Sequence, residues 1–321
     1  MKTVSITGTA QIPDDDMKPL STQLQEWQSG AIHLPPGVFD VDGFQGPSPL
    51  FKSGMRIVGA GSGRTIIRAR DQQSAGQWAV IWGGTLDGFG LEGVSLEWSG
   101  AIDPARKDVD RRGVFVKGTN IVIRDVDMSG LFGSLVGPQH ESFGINIGSG
   151  IIDGCRVSGI SGTSATAFLI ENGTVRDCEC GFPTNGQNEL FYGYTMANAG
   201  QVRFERCRSV GGRSAGWIDT GTFQSALYTD CSFSGASAVF NSNTSSPQGA
   251  VEFDNCRFES CNNGILFSNG SVESITIRDC VLTGDTAHHL IHSPNRVKVV
   301  TMVGRYGPVR MRFDGAFVTM K

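Results

Sequence analysis

Residues 274–284 read SITIRDCVLTG, and the chain keeps returning to that phrase. VEFDNCRFES (251–260), ALYTDCSFSG (226–235), VRDCEC (175–180), IIDGCRVSG (151–159) and IVIRDVDMSG (121–130) share its shape. Ile275 and Ile277 flank Thr276, then Cys280 and Leu282 flank Val281. Period two means strand, and the break between Ile277 and Cys280 means a sharp corner.

Aligning the phrases sets Val94, Val126, Cys155, Cys178, Cys207, Cys231, Cys256 and Cys280 in one column, with successive spacings of 32, 29, 23, 29, 24, 25 and 24 residues. The residue before the column is Asp125, Gly154, Asp177, Arg206, Asp230, Asn255 and Asp279 in turn. Asp, Asn and Gly best tolerate positive φ, so a left-handed corner is expected in every unit. Arg206 is the exception and is expected to be strained or differently turned.

Units near 24 residues, each with strands and corners but no helical stretch, suit a coil stacked on its neighbours. The 44 glycines and sparse charge (18%) agree with short strands and tight turns. The expected fold is all-β, a right-handed parallel β-helix. Residues 1–35 form a lead-in and capping helix, 36–303 the solenoid and 304–321 a C-terminal cap, all in one structural domain. STQLQEWQSG (21–30) reads as the helix, with Ser21 as N-cap and Leu24 and Trp27 on one face. PVRMRFDGAFVTMK (308–321) reads as a terminal hairpin or cap around Asp314-Gly315. Repetition of one cramped inward slot explains the cysteines as buried free thiols; the 321-residue length and lack of a secretion signal argue against a disulfide scaffold.

A net charge of −4 with no basic run argues against nucleic acid or an anionic membrane as partner. The N-terminus lacks an apolar core of signal-peptide length, and nothing approaches a membrane span. Cytosolic synthesis is expected, with a virion component or export without a visible signal as further placements. GAGSGRT (59–65) lacks the spacing of a nucleotide loop and reads as corner glycines. No cofactor signature appears, and the sequence leaves a divalent cation such as Ca2+ open.

These features resemble the pectate-lyase-like β-helix superfamily over residues 36–303, including its phage tailspike members. The resemblance implies a polysaccharide or oligosaccharide partner held in a groove on one flank, and either a monomer or a homotrimer. PQHE (138–141) is similar to the DPHE of alginate epimerases. WIDT (217–220) resembles the WIDH of pectate lyases with Thr220 replacing His, and HESFGINIGS (140–149) resembles a polygalacturonase strand.

Three insertions precede a second strand of nearby coils: 99–113, 131–144 and 181–195. They gather Asp110, Arg111, Arg112, His140, Glu141, Glu189, Tyr192 and Tyr194, and long loops on a rigid stack are where binding residues collect. Two chemistries fit. In β-elimination or epimerisation of a uronic acid, Arg111 or Arg112 neutralises the carboxylate while His140 and Tyr192 or Tyr194 move protons. In hydrolysis, Asp110 with Glu141, or Glu141 with Glu189, supplies two carboxylates. Catalysis is thus expected at His140, Glu141, Tyr192 and Asp110, and substrate contacts at Arg111, Arg112, Tyr194, Glu189, Trp217 and Asp219. The alternative is a non-catalytic phage tail or surface-adhesion protein, with the same groups as a solvated, sugar-gripping surface. No metal-ligand set is expected.

Overall fold

Every corner takes the left-handed turn. In the computed structural model of the protein, φ is 63° at Gly93, 49° at Asp125 and 62° at Gly154. It is 53° at Asp177, 50° at Arg206, 55° at Asp230, 51° at Asn255 and 50° at Asp279. Arg206 therefore turns like its neighbours rather than differently. The structure describes residues 4–5, 20–25, 30–70, 76–100, 109–129, 141–159, 164–181, 191–196, 200–211, 214–218, 224–235, 238–242, 247–261, 265–266, 271–284, 291–294, 297–305, 312–314 and 317–320. The chain divides into two compact units, Met1–Ala165 and Thr166–Lys321.

Both units are parallel β-solenoid. In the first, Gly30–His33, Met55–Val58 and the segments 90–92, 121–124 and 150–153 of longer strands that run on through the corners pair in parallel along one face. Their register aligns Ile32, Ile57, Leu91, Ile123 and Ile152 in one inward column, each at most 3% exposed. In the second, the equivalent column runs Val175, Phe204, Tyr228, Phe253, Ile277, Met302. Stacking aligned side chains buries a continuous core, at about 1.5–3 kcal/mol for each large apolar side chain. Phe204, Tyr228 and Phe253 use the register further: successive ring centres lie 4.6 and 4.9 Å apart with the rings nearly parallel. Parallel strand spacing is itself about 4.8 Å, so in-register aromatics must stack.

Beyond the corner a short strand forms a second face, as at Arg156–Ser158 in the first unit and Arg208–Val210, Ser232–Ser234, Arg257–Glu259 in the second. Four residues past the column a second left-handed corner closes it, at Gly159, Gly211, Gly235, Ser260 and Gly284, with φ between 52° and 77°. Sequence reasoning misses this corner, although a glycine marks it at four of the five positions, Ser260 being the exception. A third face completes each coil, for example Gly76–Asp87, Val109–Thr119 and Glu141–Asp153 in the first unit.

The corner explains the cysteines. Cys155, Cys207, Cys231, Cys256 and Cys280 each lie near the carbonyl two residues before and one on the preceding coil: Cys207 is 3.5 Å from Glu205 O and 3.3 Å from Val175 O. Cys231, Cys256 and Cys280 repeat this on Phe204, Tyr228 and Phe253. The slot takes a side chain no larger than valine and rewards a weak donor, which describes a thiol. All eight cysteines are free and buried.

At the N-terminal end Leu20–Gln25 is a helix, with Leu20 and Leu24 buried, packed beside the strand Gly37–Asp42. Ser21 lies inside its first turn, not before it; Trp27 falls outside the described residues. The terminal hairpin is not formed: Arg312–Asp314 and Phe317–Met320 pair in parallel with Ile291–Pro294 and Val297–Val303, adding another coil. No helix among the described residues is long and apolar enough to cross a membrane.

Candidate functional site

Strand Val109–Thr119 carries three of the residues to which the sequence points, Asp110, Arg111 and Arg112. It starts earlier than the loop reading of 99–113 implies, so Asp110, Arg111 and Arg112 are strand residues, level with Gln77, Trp78 and Ala79 of the preceding coil. All three are buried, at 1%, 1% and 4% exposure. Three consecutive buried charges are costly unless organised. The Arg111 guanidinium lies 5.3 Å from the Trp98 ring centre and donates from Nη1 to Gly100 O at 2.9 Å. That of Arg112 sits among Trp82, Phe115 and Phe143, at 5.6, 4.9 and 5.0 Å from their ring centres.

Two of those rings, Trp82 and Phe115, form a ridge on the third face, while Phe143 is buried. Val114 and Val116 point inward and are fully buried, so Phe115 and Lys117 point outward and are half-buried. Register sets Phe115 between Trp82 on one side and Asn146 on the other. The Trp82 and Phe115 rings meet edge to face at 5.1 Å. Lys117 Nζ lies 5.5 Å from the Phe115 ring centre and donates to Asn146 Oδ1 at 2.9 Å. At Gly113 a Cβ would collide with Met128 Sδ and Gly144 O, so only glycine fits between that side chain and the next coil. Half-buried aromatic faces beside a cation suit the apolar face and polar rim of a sugar ring; the Asn146 amide, 3% exposed, holds the lysine from beneath.

Glu141 opens the strand Glu141–Asp153, also earlier than a loop over 131–144 implies. Ile145 is level with Val114, and the same offset carried back sets Glu141 level with Asp110. His140, Glu189 and Asp219 lie outside the described residues. Trp217 is on the strand Ser214–Ile218 of the second unit, level with Thr195 and Asn241.

The tyrosines are strand residues of the second unit, on Phe191–Met196 rather than in a loop. Tyr192 is 4% exposed and Tyr194 is fully buried. The Tyr194 ring stacks on Phe168 at 5.4 Å, and its hydroxyl lies 3.0 and 2.8 Å from the carbonyl oxygens of Cys178 and Arg208. Burial holds its pKa well above the ordinary phenol value. Tyr194 is thus a core residue and offers no face to a sugar, which corrects its reading as a substrate contact.

Trp82, Phe115, Phe143, Lys117 and Asn146 escape sequence reasoning; only the alternation in GVFVKG (113–118) marks Phe115 and Lys117 as sharing an outer face. Among the described residues, no group of three or more His, Cys, Asp or Glu is placed to hold a metal ion.

No protein-family model and no curated protein sequence matches the chain. Among solved structures, the A-module of mannuronan C-5 epimerase AlgE6 from Azotobacter vinelandii is similar over 91% of this chain and 90% of that one, with TM-score 0.54 and 12% identity. PfbA, a surface adhesin of Streptococcus pneumoniae, is similar over 93% of this chain and 87% of that one, with TM-score 0.44 and 10% identity. ORF18 of Geobacillus virus E2 matches 82% of this chain and 56% of that one, with TM-score 0.45 and 14% identity. The first likeness shows a shared parallel β-helix fold; at such identity it shows nothing finer, and the other two carry no weight.

Proposed function

We propose that the protein binds an acidic polysaccharide along the third face of its first unit and transforms it by proton chemistry beside a sugar carboxylate. The observation that carries this reading is the ridge of Trp82 and Phe115 with Lys117 at its rim. The aromatic faces stack on sugar C–H surfaces. Lys117 reaches the surface and pairs with the carboxylate of a ring on the ridge. Glu141 lies far along the paired strands from it and serves a different ring of the chain, where the buried Arg111 and Arg112 act as fixed positive charge that positions rather than touches it.

Neutralising a uronate makes its C5 proton removable, because the electron pair left behind spreads into the carboxyl group. His140 and Glu141 take the proton-transfer roles. Return of a proton to the opposite face inverts C5; departure of the 4-oxygen instead cleaves the chain and leaves an unsaturated ring. Hydrolysis through Asp110 and Glu141 is less well supported, since Asp110 is 1% exposed and a hydrolytic carboxylate must meet water or sugar. Neither tyrosine is given a role.

The test is incubation with alginate, polygalacturonate and a neutral glucan, following ultraviolet absorbance of unsaturated ends, reducing ends, and deuterium entry at C5 by NMR. Turnover of a uronate polymer that His140→Ala and Glu141→Ala abolish supports the proposal. Binding without turnover assigns a receptor-binding role instead, and absence of binding to either uronate polymer overturns both.

A further inference from the structure

The second face of the first unit carries a groove that the ridge does not explain. Stretches 95–97, 127–129 and 156–158 lie side by side, with Ser95 level with Asp127, Asp127 with Arg156, and Ser129 with Ser158. Leu96, Met128 and Val157 point inward and are buried, so Ser95, Glu97, Asp127, Ser129, Arg156 and Ser158 face outward. On the preceding coil Arg68, level with Glu97, holds Asp40 at 2.8 Å and raises a wall of long side chains. Beyond Glu97 the row drops to Ser129 and Ser158. Long side chains followed by short ones hollow an otherwise flat sheet, leaving a depression of about 210 Å3.

The lining selects its ligand. Glu97 and Asp127 accept hydrogen bonds, Arg156 donates, and serine hydroxyls do both. Ser95 Oγ already accepts the Gly63 N–H at 2.8 Å, which fixes its orientation. Two acids to one base repel an anionic sugar, and the outward side chains include no aromatic to hold an apolar molecule. The volume lies below the range of about 300 Å3 at which drug-sized pockets begin, so it suits one ring of a chain. We infer that this groove is a second saccharide site, distinct from the third-face ridge, which takes a neutral sugar residue through its hydroxyls.

The experiment uses the full chain with maltotetraose, cellotetraose, mannotetraose and a tetrauronate, by saturation-transfer NMR and calorimetry. One neutral tetramer is expected to bind. Asp127→Asn weakens it about tenfold, the loss of a charge-assisted hydrogen bond, and Ser129→Tyr, which fills the floor at an exposed strand position, abolishes it. Phe115→Leu on the ridge leaves it unchanged. Should Ser129→Tyr not fold, Asp127→Asn alone decides. The inference is overturned if no neutral tetramer binds, if neither groove variant weakens binding, or if Phe115→Leu removes it equally. Because the ridge is read with uronates and the groove with neutral sugars, either site fails without the other.

Discussion

Arg206 occupies the same left-handed corner as Asp177 on the adjacent coil, and its guanidinium grips that carboxylate through both Nε and Nη2 at 2.7 Å. A long cationic side chain at φ 50° is unfavourable locally. It is retained where Asp, Asn or Gly would turn more easily because acids stand in the corner column on both sides, at Asp177 and Asp230. Its pKa lies above the ordinary guanidinium value, chiefly through the hydrogen bond to Asp177. Arg206→Ala is expected to lower the melting temperature, since the backbone strain stays and the pair goes. Arg206→Gly relieves the strain and is expected to recover most of that loss. In high salt the wild type and the glycine variant should converge, as exposed ion pairs are screened. A glycine variant that melts below the alanine variant would contradict the corner argument.

Tyr194 tests the separation of core from site. Tyr194→Phe removes a hydroxyl held by two carbonyls inside the second unit and is expected to cost about 1–3 kcal/mol, the penalty for stranding buried acceptors. Polysaccharide binding should not change. Denaturant unfolding and calorimetry on one preparation check both halves, and a binding defect with intact stability would return Tyr194 to the site.

The thiols should be silent in the native state. All eight are buried, and reactivity belongs to an exposed thiolate. Burial pushes the Cys180 thiol up from 9.0 to about 12. Reaction with a chromogenic disulfide is expected to be negligible in buffer and to reach all eight in guanidinium. The same shift predicts an alkaline limit. The fold favours the neutral thiol of Cys180, so its contribution is complete below pH 9.0 and is lost as pH rises through about 12. Cys180→Ala should flatten the fall in stability across that window.

The solenoid is legible in the sequence because its causes are local. Asp, Asn and Gly recur where φ is positive, and a small inward slot recurs where a thiol fits. Arg206 is the instructive exception, since its reason for being there is a carboxylate on another coil rather than its own backbone. The loop boundaries were less legible. Asp110 to Arg112, Glu141, and Tyr192 to Tyr194 look like loop residues by polarity, yet they sit on strands. The charges of Asp110 to Arg112 and the hydroxyls of Tyr192 and Tyr194 are buried by packing that only the third dimension supplies. The ridge was hidden for the converse reason: Trp82 and Phe115 read as core, and only register shows them side by side on an outer face.

Phe115 is where fold and function separate most cleanly. Its ring meets the Arg112 guanidinium at 4.9 Å from one direction and Lys117 Nζ at 5.5 Å from another, and it abuts Trp82. Phe115→Leu keeps an apolar side chain but removes the π face. Two cation–π contacts, one of them to a buried guanidinium, are worth about 1–2 kcal/mol together, so a stability loss of that size is expected. Affinity for a uronate tetramer should fall about tenfold, because stacking on the sugar is lost. Lys117→Gln should weaken binding of the uronate tetramer, leave that of a neutral one unchanged and lessen the salt dependence of uronate binding, while leaving stability nearly unchanged at that half-exposed position. If the leucine variant loses stability but binds as the wild type does, the ridge is a structural brace for Arg112, and the polysaccharide must lie elsewhere on the coil stack.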